Sequence, residues 1–169
     1  SAIDDEGSYG ALGVADPANV PPSRSYAASW VGAEGALWLF GGRACFEDDD
    51  ASSRMLNDLW RFDVDSSEWT WVAGCDPASC DGTADVHGAS GETDAANIPG
   101  ARRDAAMWVD GAGDVWLFGG VGYTGGLGFP GGGLLDDLWR FDASSEQWAW
   151  ISGGPTSGAT IRPRAFGLG

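Results

Sequence analysis

The sequence predicts an all-β protein built from two repeated antiparallel sheets. Residues 35–42, Gly-Ala-Leu-Trp-Leu-Phe-Gly-Gly, return at 113–120 as Gly-Asp-Val-Trp-Leu-Phe-Gly-Gly, and Asp-Leu-Trp-Arg-Phe-Asp at 58–63 returns unchanged at 137–142. A repeat of this regularity indicates a repeat architecture. The 28 glycines and eight prolines in 169 residues indicate many turns and argue against long helices.

Each repeat is predicted to contain four short strands. In the first repeat they cover residues 25–31, 36–40, 58–62 and 69–72, and in the second residues 103–109, 114–118, 137–141 and 148–151. The copies are offset by 78 residues between Arg24 and Arg102 and by 79 between Trp60 and Trp139, so one residue is inserted between these positions.

The second strand of each repeat predicts a sheet that is apolar on both faces. Alternation puts Leu37 and Leu39 on one face and Trp38 and Phe40 on the other. Such a sheet must be covered on both sides, which stacking of similar sheets achieves. The strand ends in Gly-Gly, which indicates a tight bend or a close approach of another backbone.

These motifs resemble the kelch repeat, in which an aromatic-rich strand follows a Gly-Gly strand and a Trp follows Phe-Asp. The glycine pairs are Gly41-Gly42 and Gly119-Gly120, and the later tryptophans are Trp69 and Trp148. The resemblance implies a kelch-type β-propeller segment, with two four-stranded antiparallel blades and the terminal strand of a third. It also implies that the strand before the Gly-Gly strand lies innermost and lines the central channel, and that the Trp strand lies outermost.

The predicted organisation follows from that resemblance. It comprises a loop leading into the first blade (1–23), kelch blade 1 (24–74), a long inter-blade loop (75–101), kelch blade 2 (102–153), and a linker with the first strand of a third blade (154–169). Because propellers close with about four to eight blades, we expect the chain to be part of a longer propeller. The alternative is self-assembly, in which three chains close a six-bladed ring and each terminal strand completes a neighbour's blade.

Composition excludes several classes of partner. The net charge is −16, with nine arginines and no lysine, and an acidic surface repels nucleic acid and anionic lipid. No apolar run approaches the roughly 18 residues of a membrane helix. We therefore predict a protein partner or neighbouring blades, and no cofactor.

The long loops are predicted to share one end of the sheets. They cover residues 43–57, 74–100 and 121–136, whereas the other connections are tight turns. Insertions gathered at one end indicate a binding face. The alternative is that these loops pack on each other or on another domain.

Three arginines are the candidate binding residues of that face. Arg24, Arg102 and Arg164 recur at the entrance to the first strand of each repeat, where a ring of guanidinium groups would bind carboxylate or phosphate. The kelch resemblance is consistent with this role, since some kelch domains bind acidic peptides through such arginines. The alternative is that each arginine fastens loop carbonyls or pairs with a local aspartate.

An acidic run is the weak candidate for a metal site. Carboxylates clustered in one loop are able to ligate calcium, but this run lacks the spacing and turn glycine of a calcium loop, so a solvated loop tip is the alternative. The run consists of Glu47, Asp48, Asp49 and Asp50.

The cysteines predict one disulfide. Cys75 and Cys80 lie close enough in one loop to pair, which leaves Cys45 over. A loop disulfide favours an oxidising, extracellular or cell-surface setting, and three reduced thiols are the alternative. The single histidine, His87, has no obvious co-ligands for zinc.

The leading functional prediction is a non-catalytic protein-binding or scaffold module within a larger propeller or assembly. One alternative is a segment of a galactose-oxidase-like or glycan-active enzyme whose catalytic residues lie elsewhere. The family's copper site needs two histidines, whereas this chain has one. The other alternative is a structural subunit that closes a ring by self-assembly.

Overall fold

The protein is all-β and forms two antiparallel sheets with almost no helix. The computed structural model describes residues 6–32, 35–44, 54–76, 85–123 and 133–154. The prediction of an all-β fold is confirmed at this level, and the two sheets are open rather than closed into a barrel. Across the described ranges, no helix is long and apolar enough to cross a membrane.

The first sheet has five strands in the order β1-β5-β4-β3-β2. They are β1 (Ala15–Asp16), β2 (Ala28–Val31), β3 (Leu37–Ala44), β4 (Arg54–Asp63) and β5 (Glu68–Ala73).

The second sheet repeats this arrangement with six strands. They are β6 (Thr93–Asp94), β7 (Arg102–Arg103), β8 (Ala106–Val109), β9 (Val115–Gly122), β10 (Gly133–Asp142) and β11 (Gln147–Ser152). Their order is β6-β11-β10-β9-β7, and β8 also pairs with β9.

Each sheet contains an outer strand that the sequence did not predict, so the expectations of four-stranded sheets and of outermost Trp strands, β5 and β11, were wrong. β1 and β6 lie in segments predicted as loops, 1–23 and 75–101, and pair with β5 and β11. Asn19 helps to hold the first of these segments, because its side-chain amide donates to the carbonyl oxygens of Val14 and Trp69, both at 2.9 Å. A strand of two residues shows no alternation of polar and apolar side chains, so the sequence carries no strand signal here.

The Gly-Gly pair allows a close approach of the second sheet, as predicted. The register of β3 against β4 shifts between Phe40 and Gly42, and Gly41 and Gly42 have φ angles of 62° and 102°. A Cβ added at Gly41 would lie 2.8 Å from the carbonyl oxygen of Arg102 in the second sheet. A side chain at this position would therefore clash with the neighbouring backbone.

The hydrophobic core lies in the seam between the two sheets. One side of the seam, the front face of the first sheet, consists of Trp30, Trp38, Phe40 and Leu59. The other side, the back face of the second sheet, consists of Val115, Leu117, Phe141 and Trp148. Trp38 meets Phe141 with ring centroids 5.1 Å apart, and Phe40 meets Trp148 at 5.4 Å.

Candidate functional site

A buried ionic clasp joins the segment before β2 to β3 and β4 of the first sheet. Both terminal nitrogens of Arg24 donate to the Asp58 carboxylate, at 2.6 and 2.7 Å. The same guanidinium donates to the carbonyl oxygens of Pro22 and Gly41, at 3.1 and 3.0 Å. The indole N–H of Trp60 donates to Asp58 Oδ2 at 2.7 Å. The carboxylate therefore balances the arginine charge and orients a core tryptophan.

The second sheet repeats the clasp residue for residue. Arg102 donates to both carboxylate oxygens of Asp137, at 2.7 and 2.6 Å. It also donates to the carbonyl oxygens of Gly100 and Gly119, and Trp139 donates its indole N–H to Asp137 Oδ2 at 2.7 Å. Paired, bidentate hydrogen bonding of this kind is what allows a guanidinium group to be buried.

The clasps occupy two of the three arginines predicted as binding residues. The side chains of Arg24 and Arg102 are only 5% and 1% exposed. Four of the five guanidinium N–H groups are used within the fold in each case. This geometry favours the alternative left open by the sequence, a local aspartate partner, over a ligand on the loop face. Arg164 lies outside the described residues.

The first clasp has a further donor that the sequence analysis missed. The hydroxyl of Tyr9 donates to Asp58 Oδ2 at 2.5 Å, and its ring lies 4.9 Å from Trp60 and 5.1 Å from Trp71. Burial, with the adjacent Asp58 carboxylate as a second cause, raises the pKa of Tyr9 well above its usual range. Tyr9 therefore stays a neutral donor and ties the segment before β1 to the clasp.

His87 takes the place of Tyr9 in the second sheet. It stacks on Trp150 with ring centroids 4.6 Å apart and lies 6.4 Å from the Trp139 ring. Its Nε2 lies 3.4 Å from an oxygen of Asp85 rather than against the clasp carboxylate. Among the described residues, Asp137 accepts hydrogen bonds only from Arg102 and Trp139.

Aspartates close the tight turns at the opposite end of the sheets. Asp142 accepts hydrogen bonds from both the hydroxyls and the backbone N–H groups of Ser144 and Ser145, and these donors lower the pKa of Asp142 to about 2. Asp63 accepts from the backbone N–H groups of Asp65 and Ser66, which lowers its pKa. These turns are short and internally bonded, as the sequence predicted for this end.

One turn aspartate also bonds a tryptophan on the second sheet. The indole N–H of Trp116 donates to Asp110 Oδ2 at 2.8 Å, and this bond, followed by the N–H of Ala112, lowers the pKa of Asp110. Gly32 occupies the corresponding position in the first sheet. The first copy therefore has no carboxylate at that position.

The remaining predicted sites fall outside the part of the chain that the structure describes. They are the acidic run Glu47, Asp48, Asp49 and Asp50, and Cys80, the predicted partner of Cys75. Within the described ranges, no group of three or more His, Cys, Asp or Glu side chains is placed to hold a metal ion. The disulfide and the calcium site stay predictions.

The clasp aspartates were missed, although the sequence contains a signal for them. Asp58 and Asp137 begin the doubled motif Asp-Leu-Trp-Arg-Phe-Asp, and each follows its arginine by 34 or 35 residues. An aspartate repeated at the start of an apolar strand motif points to a buried partner of opposite charge.

Comparisons with known proteins support the fold alone. No protein-family model matches the sequence, and no curated protein matches it. Among solved structures 88 chains match, and one of them is described as "Structure of YjhT". That structure superposes with a TM-score of 0.52 and 16% sequence identity over 85% of this chain. The match spans 42% of the YjhT chain, so this protein is similar to less than half of a longer fold.

Proposed function

We propose that the chain is a kelch-type propeller segment that acts as a non-catalytic protein-binding or scaffold module. In this proposal the stacked sheets are two blades of a larger propeller, and their long loops bind a protein partner. The likeness to under half of the longer YjhT chain supports a fold with further sheets. The doubled Gly-Gly and Trp motifs support the kelch assignment.

The observation that carries the proposal is the position of the clasps. Gly41 lies on β3 shortly before residues 45–53, and Asp58 lies on β4 shortly after them. Arg24 bonds to both strands and so braces the base of the long connection between them. Arg102 does the same for β9 and β10 around residues 124–132. Long loops on a rigid base are the usual carriers of binding residues.

Charge indicates the kind of partner. The chain carries a net charge of −16, and its two described clasp arginines are neutralised by aspartates. A surface of this sign steers proteins with a basic contact patch towards it and repels acidic ones. The proposed partner is therefore a protein with a basic surface.

Loop replacement tests this proposal. Residues 45–53 and 124–132 are each replaced by a short Gly-Ser connection, and partners are cross-linked and captured from the native source for quantitative mass spectrometry. We expect the captured partner to be lost with either replacement. It should be retained with Val64→Ser, which alters an exposed turn at the opposite end. Retention with both loops replaced would contradict the proposal. Stoichiometric copper in the purified chain would favour the galactose-oxidase-like alternative.

A further inference from the structure

The second sheet exposes a copy of the surface that the first sheet buries. The front face of the first sheet, Trp30, Trp38, Phe40 and Leu59, corresponds position by position to Trp108, Trp116, Phe118 and Leu138. The four residue types are identical. Phe40 is 1% exposed and Phe118 is 45% exposed, and Trp30 and Trp108 are 8% and 46% exposed.

The stacking geometry within this surface is also repeated. Trp30 and Trp38 stack with an interplanar angle of 2°, and Trp108 and Trp116 stack with an angle of 3°. Phe141 contacts both rings of the first pair from the second sheet. The second pair is thus already arranged to receive an equivalent aromatic side chain.

The first sheet exposes the complementary surface. The back face of the second sheet, Val115, Leu117, Phe141 and Trp148, corresponds to Leu37, Leu39, Phe62 and Trp69. Val115 is 1% exposed, whereas Leu37 is 40% exposed. Phe62 and Trp69 are half-buried, with ring centroids 5.0 Å apart, whereas Phe141 and Trp148 are fully buried.

The backbone at the open front face is arranged as it is in the seam. Gly119 has the same φ angle as Gly41, 62°, and both are parts of a Gly-Gly strand end. A Cβ added at Gly41 would meet the backbone of the neighbouring sheet, whereas one added at Gly119 would meet only Leu135 of its own sheet among the described residues. Among the described residues, the Arg102 carbonyl oxygen beside Gly41 therefore has no counterpart beside Gly119.

We propose that the open front face of the second sheet binds the open back face of the first sheet of a second copy of this chain. This inference goes beyond the proposed loop binding: other copies of the chain supply the further sheets of the propeller, and its failure would leave loop binding untouched. The occupant is a second copy because the chain already contains both halves of the seam and buries one such pair internally. The contact is heterologous, so its repetition builds a closed ring or an open filament.

The net charge of the chain predicts how this association depends on salt. Each copy carries a net charge of −16, so copies repel one another at low ionic strength. Salt screens that repulsion over about 8 Å at 0.15 M, while burial of apolar surface is retained. Association should therefore strengthen from 0.02 M to 0.3 M salt, the opposite of a contact held by ion pairs.

The test uses one variant for each face of the full chain. Phe118→Glu blocks the front face of the second sheet, and Leu37→Glu blocks the back face of the first. Each adds one charge at a side chain that is at least 40% exposed. Leu12→Glu adds the same charge at a turn residue that is 57% exposed and outside both faces, so it is the matched control. Mass is measured by sedimentation velocity across concentration, with circular dichroism to check the fold.

We expect the wild type and Leu12→Glu to form assemblies larger than 17.5 kDa as concentration rises. Phe118→Glu and Leu37→Glu should each stay monomeric, with association weakened on the order of tenfold or more. When the two variants are mixed they should form a one-to-one dimer, because each supplies the face that the other lacks. That dimer should not grow further.

Three results would overturn the proposal. One is a wild type that stays monomeric at every concentration and salt, which would assign the face to another segment or another protein. Another is Phe118→Glu associating as the wild type does. The last is a Leu37→Glu chain that still dimerises alone, which would indicate a symmetric front-to-front contact.

Discussion

The two sheets share one framework and differ at its edges. Each is built around the same arginine–aspartate–tryptophan clasp, with nearly identical hydrogen-bond lengths. In the first sheet the Tyr9 hydroxyl donates a hydrogen bond to the clasp carboxylate. In the second sheet His87 instead stacks on Trp150 and lies beside Asp85. The clasp is therefore the constant part of the repeat, and the segments before β1 and β6 differ in how they contact it.

The sheets also differ in which face is covered. The first buries its front face against the second, whereas in the second Trp108 and Phe118 are exposed and Trp116 and Leu138 are half-buried. Identical residues thus make different contributions to stability according to their neighbours, and substitutions at paired positions measure that difference.

The largest effect is expected from loss of a clasp carboxylate. Asp58→Ala leaves the Arg24 charge buried together with the unpaired donors of Tyr9 and Trp60, so the free energy of unfolding should fall by about 3–5 kcal/mol. Asp137→Ala leaves one donor fewer and should cost less. Urea unfolding followed by tryptophan fluorescence measures both. The double variant Arg24→Met with Asp58→Leu should recover part of the lost stability. If Asp58→Ala and Asp137→Ala each cost less than about 1 kcal/mol, the clasps would not be the stabilising framework that the two sheets share.

The next effect separates the covered face from the open one. Phe40→Ala removes a ring buried against Trp148 and should lower the free energy of unfolding by about 3 kcal/mol. Phe118→Ala removes a half-exposed ring and should cost about 1 kcal/mol or less when measured at a concentration where the chain is monomeric. Equal costs in that dilute monomer would show that the front face of the second sheet is already covered within one chain.

A third pair of substitutions compares Tyr9 and His87, which occupy equivalent positions in the two repeats. Tyr9→Phe removes a hydrogen bond to a buried carboxylate and should lower the free energy of unfolding by about 2 kcal/mol. His87→Phe keeps the ring that stacks on Trp150 and should change it by less than about 0.5 kcal/mol. The same urea titration measures both variants. A larger loss of stability for His87→Phe than for Tyr9→Phe would show that Tyr9 is not the more important of the two residues.

Tyr9 also predicts a loss of stability in alkali. Because the fold raises its pKa, the stabilisation is fully present below the unfolded pKa of about 10 and declines as pH rises above it. The free energy of unfolding should fall by up to about 1.4 kcal/mol per pH unit in this range, and Tyr9→Phe should lack this part of the slope. Matching slopes for the wild type and Tyr9→Phe between pH 9 and 11 would refute the assignment.

The smallest effect is expected at the tight turns. The pKa of Asp142 is held at about 2, so its stabilisation is present above the usual carboxyl pKa near 3.9 and is lost as pH falls towards 2. Solvent screens this partly exposed group, and Asp142→Ala should cost only about 0.5 kcal/mol at pH 6 and less than half of that at pH 2. Asp65→Ala, in the equivalent turn of the first sheet, is the control. A cost that persists unchanged at pH 2 would show that the charge is not responsible.

The strands of the doubled motif were predictable because their residues alternate. Leu37 and Trp38 point to opposite faces of a sheet that is covered on one side and open on the other. The sequence predicted that both faces are apolar, but which face is covered depends on the neighbouring sheet, so residue type alone does not determine it. The outer strands β1 and β6 were missed because they are two residues long.

The role of the clasp arginines could not be predicted from the sequence for a different reason. A guanidinium group at a loop entrance has the same residue type whether it faces solvent or a carboxylate. Arg24 and Asp58 are 34 positions apart, and only the pairing of β3 with β4 brings them together. For Arg24 and Arg102, burial favours the aspartate partner over a ligand, and burial is a property of the packed chain.

The outer strands have a consequence for how such a protein changes in size. Within the described ranges, each sheet takes all of its strands from one continuous stretch, residues 15–73 for the first and 93–152 for the second. A gene duplication that copies either stretch therefore copies a complete sheet, with no strand borrowed from its neighbour. Repeat number can rise or fall in whole units, and a protein engineer can add or remove a sheet by cutting between β5 and β6.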